Sequence, residues 1–156
     1  MAANQFDVPF RSVALTAATA KTVIGVKAAT NVALKLLEAA GTFDGATSTN
    51  AAAVVDFNRC SFSSSSPGTN STAISSPPKR EPGRAETIQA TAAHTWTTEP
   101  AALTAQFSKD VPQFQGIYHY VHPFSSPHII AGGQGFVVTI TSPNTVNTTG
   151  HLTCEE

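Results

Sequence analysis

"TNVALKLLEAAGTFDG", residues 30–45, fits two templates, and the choice between them sets the fold class. As a helix, Asn31 caps it and Val32, Leu36 and Leu37 share a face, but the stripe stops at Gly41. As a strand, Val32, Leu34 and Leu36 line one side, with Ala33, Lys35 and Leu37 on the other. The flanks decide. Thr22-Val23-Ile24-Gly25-Val26-Lys27 is a β-branched run, and Thr42-Phe43-Asp44-Gly45 supplies a β-prone exit and a turn. The stretch is therefore read as one long strand.

The same texture extends outward. Segments 12–16, 22–27, 51–57, 88–96, 116–122, 135–141 and 151–155 also read as strands separated by turn-rich residues. With the opening stretch that makes about eight, the number and spacing of a sandwich, jelly roll or small barrel. The expected fold is all-β: a single-domain antiparallel β-sandwich of jelly-roll type. A helical turn or two is expected only at 99–107, where Pro100 suits a first-turn position.

Composition bounds the function classes. At 156 residues the chain makes one ordinary domain, large enough for a core without metal or disulfide staples. Charged residues are only 12% of it, while Ala (24), Thr (21) and Ser (14) dominate, so the surface is neutral and rich in hydroxyls. A net charge of −1 supplies no basic stripe for nucleic acid and no attraction to an anionic membrane. The start, MAANQFDVPFRSVAL, has no basic n-region followed by an apolar core, and no apolar run is long enough to span a bilayer. Synthesis in a cytoplasm is the expectation. Cys60 and Cys154 fit neither a metal pair nor a disulfide framework and read as small hydrophobes.

Two segments look able to leave the domain. Residues 61–86, SFSSSSPGTNSTAISSPPKREPGRAE, lack alternation and carry Lys79, Arg80 and Arg84. They read as a long surface loop, or as an arm of up to about 80 Å crossing a neighbouring subunit and pairing its cations with partner carboxylates. On that reading the domain folds without residues 63–82. Residues 1–11 are either a second arm, with Phe6, Val8 and Phe10 adding to a neighbour's sheet edge, or an ordinary first edge strand ahead of a domain spanning 12–156.

Catalytic signatures are sparse. His119, His122 and His128 bunch together, but His119 and His122, three apart on a strand, face opposite sides, and carboxylates are scarce nearby in sequence. There is no GxSxG elbow, P-loop, HExxH or dinucleotide fingerprint; Ala131-Gly132-Gly133-Gln134-Gly135-Phe136 reads as a turn into a strand. The carboxylates are scattered singly or lie at the end. The reading is of a non-enzyme with no cofactor and no metal.

Five phrases carry a resemblance: "VALTAATAKTVIGV", the long strand ending "FDG", "GRAETIQATAAHTWTTEP", a strand running into "HPF", and "GFVVTITSPNTVNTTGHLTCEE". In this order they resemble small β-rich virion proteins of tailed bacteriophages, particularly those of actinobacterial phages. "VALKLLEAAG" departs from the pattern in being more helix-prone. The resemblance implies a structural protein of the particle, made in the host cytoplasm: a capsid decoration (cement) protein bound to the major capsid protein, or a collar or tail component, with a homotrimer as the implied oligomer. A second reading is a sandwich presenting Trp96, Tyr118 and Tyr120 to sugars, although Trp96 reads more readily as a core or interface anchor.

Overall fold

The computed structural model describes residues 3–44, 51–114, 116–123 and 127–156. Among these the chain forms eleven strands and no helix: β1 (Gln5–Leu15), β2 (Ala20–Lys27), β3 (Leu34–Phe43), β4 (Ala52–Cys60), β5 (Thr72–Ile74), β6 (Thr91–His94), β7 (Leu103–Pro112), β8 (Ile117–Val121), β9 (His128–Ile130), β10 (Gly135–Thr141) and β11 (Val146–Glu155). An A sheet runs β1-β11-β3, with β8 and β9 sharing the far side of β3; a B sheet runs β5-β6-β2-β10-β4-β7. Every pairing is antiparallel. The sheets enclose one core, to which β1 brings Phe6, Val8 and Phe10, β3 Leu34 and Leu36, β4 Phe57, and β10 Phe136, Val138 and Ile140. This is a single-domain β-sandwich, as the alternation predicts.

The opening stretch is a strand with one irregularity. Leu34 and Leu36 point inward, and strict alternation would send Glu38 after them. Instead β3 bulges at Leu37: Leu36 pairs with Cys154 but Glu38 pairs with Thr153. The extra residue shifts the phase, so Ala39 and Phe43 are buried while Glu38 and Ala40 lie on the outer face.

β10 is buried along six residues on both faces. Its inward side meets the main core. Its outward side meets a second, smaller cluster of Cys60, Phe62, Ala93, Trp96 and Val137. Phe62 lies directly over Gly135, where a Cβ would come within 2.1 Å of the ring, so only glycine fits. Trp96 is fully buried, and its indole N–H donates to Ser65 O at 2.7 Å. Residues 61–71 and 95–99 thus roof the outer face of the B sheet.

The Ser/Pro-rich segment is therefore no free excursion. Beyond its roof it supplies β5, and it then crosses the open edge of β1: Asp7 N donates to Pro78 O (3.0 Å) and Arg80 N to Gln5 O (2.9 Å), with a bridge between Phe6 and Lys79. The expectation of an N-terminal arm fails for a related reason. The strand expected at 12–16 begins at Gln5, and Phe6, Val8 and Phe10 fill this chain's own core. β1 is a first edge strand, capped by residues 78–80.

The helix expected at 99–107 is replaced by β7. Ala102 has a left-handed backbone (φ 59°), which breaks any helix after Pro100, and β4 then recruits the chain into a ladder. β5 and β9, of three residues each, are too short to show alternation.

Candidate interaction face

The roof over the B sheet and the strap over β1 leave the outer face of the A sheet bare. Its side chains follow from the register. One cross-strand row is Pro9, His151, Ala40, His119; the next is Asp7, Thr153, Glu38, Val121. The bulge at Leu37 places Glu38 here, where its Oε1 lies 3.0 Å from His119 Nε2 and 3.5 Å from His151 Nε2, across the small Ala40. Two further carboxylates are clamped alongside. Glu155 meets Lys35 Nζ at 2.6 Å and Gln5 Nε2 at 3.1 Å, and these hydrogen bonds hold its carboxyl below the usual range. For Asp7, burial opposes ionisation, but hydrogen bonds from Arg80 Nε (3.1 Å) and Thr153 Oγ1 (2.7 Å) outweigh it and depress its pKa.

Toward β8 and β9 the face turns apolar. Ile117, Val121 and Ile129 are 68%, 56% and 53% exposed, and Phe114, in the turn before β8, is 46% exposed. Tyr118 and Tyr120, the alternate residues of β8, point inward instead, and Tyr120 packs on Phe107, which stacks on Phe57 at 4.3 Å. The strand edges at this side are guarded: β7 bulges at Gln106, and Lys109 Nζ reaches across to His119 O at 3.2 Å. What stays adhesive is the face, not the edge.

The residues singled out from sequence are thereby reassigned. Lys79 Nζ donates to Arg84 O and Glu86 O, Arg80 pairs with Asp7 (3.0 Å), and Arg84 pairs with Glu81 (3.4 Å) and Glu86 (3.5 Å), so these cations are engaged within the chain rather than held out for a partner. Trp96 and Tyr118 are buried and Tyr120 half-buried, so they form no platform for sugar rings. His119 and His122 part company as expected: His122 meets Tyr120 edge-on and lies tilted against His128, while His119 joins Glu38. The carboxylate beside His119, unseen in sequence, comes from a strand 81 residues away. Cys60 and Cys154 are both buried free thiols.

Ile117, Val121 and Ile129 escaped the sequence reading, although a signal existed. In Ile117-Tyr118-His119-Tyr120-Val121 both phases of the strand carry bulky residues, which requires either a second cover or an exposed apolar column. The chain matches no family model, no curated protein and no solved structure. Among the described residues no helix is long and apolar enough to cross a membrane.

Proposed function

We propose that the protein is a non-enzymatic structural component of a tailed-phage particle, a capsid decoration protein that docks on the major capsid protein through the bare face of the A sheet. The observation that carries this reading is the exposed column of Ile117, Val121 and Ile129 on the face that the chain's own loops leave uncovered. An apolar border, interrupted by His119, beside clamped charges has the make-up of a protein interface, an apolar patch with a polar rim. The resemblance of the sequence phrases to phage virion proteins supplies the partner and the homotrimer.

The test is co-sedimentation of the purified protein with empty heads and, separately, with tails. Wild type is expected to pellet with heads at a copy number comparable to the shell subunits. The double variant Ile117→Lys, Val121→Glu is expected to stay in the supernatant with an unchanged melting transition, since both side chains are solvent-exposed. Pelleting with tails alone would replace the decoration role by a collar or tail role. Pelleting with neither would overturn the proposal.

A further inference from the structure

Where the 78–80 strap crosses β1, an open groove of about 680 Å3 lies between Pro9, Arg11, Pro78, Arg80, His94 and His151. Its charges are unequal in kind. Arg80 is neutralised by Asp7. Arg11 sits where β1 bulges between Phe10 and Val13, next to Ser12 with its left-handed backbone (φ 51°). Bulges of this sort re-aim side chains out of the ladder. Among the described residues Arg11 has neither an ion-pair nor a hydrogen-bond partner. The groove thus holds one uncompensated guanidinium.

Asp7, which also lines the groove, is taken up by Arg80 and Thr153, and the other polar groups there are a threonine hydroxyl and imidazoles. Thr149, also at the groove, accepts from Ser12 N through Oγ1 at 3.0 Å, which leaves its own proton to give. His94 has Nδ1 engaged with Thr95 Oγ1 at 2.8 Å, leaving Nε2. Pro9 and Pro78 provide flat apolar walls, whereas Phe10 is only 3% exposed and offers no face on which a nucleobase could stack.

We propose that this groove binds a carboxylate-bearing saccharide. One planar guanidinium without a partner matches one planar carboxylate in a forked, two-bond contact, whereas a phosphate dianion calls for more positive charge than the groove holds. Thr149 and His94 Nε2 suit sugar hydroxyls, while His151 Nε2 already faces Glu38, and the proline walls suit the C–H faces of a pyranose. The volume lies within the range of about 300–1,000 Å3 typical of small-ligand sites, room for one or two rings. This site is distinct from the apolar column and does not depend on head docking.

Calorimetric and NMR titrations of the full chain with glucuronate, galacturonate and sialyl oligosaccharides test it, with the methyl ester of each as the neutral control. At least one acid is expected to bind with a Kd on the order of millimolar or tighter, and its ester about tenfold more weakly. Arg11→Ala should weaken binding about tenfold with an unchanged melting transition, and Arg11→Lys should recover part of the loss. Equal affinity for acid and ester, an unaffected Arg11→Ala variant, or no binding across the panel would overturn the proposal. Tighter binding of a sulfated oligosaccharide would overturn the carboxylate assignment, and equal binding of oligothymidylate would reduce the groove to a generic polyanion surface.

Discussion

Tyr118 ends a cross-strand row that runs Phe10, Gly150, Gly41, Tyr118. A Cβ on Gly41 would lie 2.2 Å from Tyr118 Oη, so the ring occupies space that any larger residue at position 41 would need. The phenol is nevertheless poorly served. Burial drives its pKa far up, its hydroxyl has no well-formed hydrogen bond, and the neighbouring Thr148 gives its proton to Thr42 O. Tyr118→Phe keeps the ring and removes the stranded hydroxyl, so urea denaturation should show a gain of about 1 kcal/mol. His122 yields a pH prediction. Burial, and secondarily the charge of His128, pushes its pKa down to about 4. The unfolded chain, with an ordinary histidine pKa of about 6.5, takes up the proton first. The stability linked to His122 is therefore complete above that value and lost as the pH falls toward about 4. The urea midpoint should drop over this window, and more shallowly in His122→Phe.

At the scale of elements, the strap and the roof carry stability that a solvated loop would not. Arg80→Ala breaks a half-exposed ion pair and should cost no more than about 1 kcal/mol. Deleting residues 63–82 is a different matter, because it removes the acceptor of the Trp96 indole, β5 and the cover over the edge of β1. The deleted protein should melt at much lower temperature and bind a hydrophobic dye, the reverse of what the composition of this segment predicts. That contrast marks how far the sequence was legible. Strands with one buried phase, such as β3 and β10, announce themselves through alternation or a continuous apolar run. β7 does not, since only Val111 of its ten residues is buried, and Pro100 with its alanines imitates a helix start. The 61–86 segment hides its role because its anchors are backbone groups and single cations, which leave no periodic trace. The polar cluster of the A-sheet face was invisible for a third reason: it depends on which strands become neighbours, and His119, Glu38 and His151 meet only through that pairing.

Over the whole molecule, cover is distributed unevenly. One sheet face and one edge are sealed by the chain's own loops, and the opposite face presents its apolar column. β11 holds the A sheet together, lying between β1 and β3 and pairing with both along most of its length. A chain ending at residue 145 loses that strand and should show no cooperative transition by circular dichroism. The same position sets the order of events during synthesis. Of the described strands β1 leaves the ribosome first, yet its ladder partner β11 leaves last. Phe6, Val8 and Phe10 therefore wait on a nascent chain until the final strand emerges, and closing so long a loop makes folding slow and exposed to aggregation. Closure of the A sheet waits for β11, and joining the earliest described strand to the latest should make the folding yield rise with added chaperone.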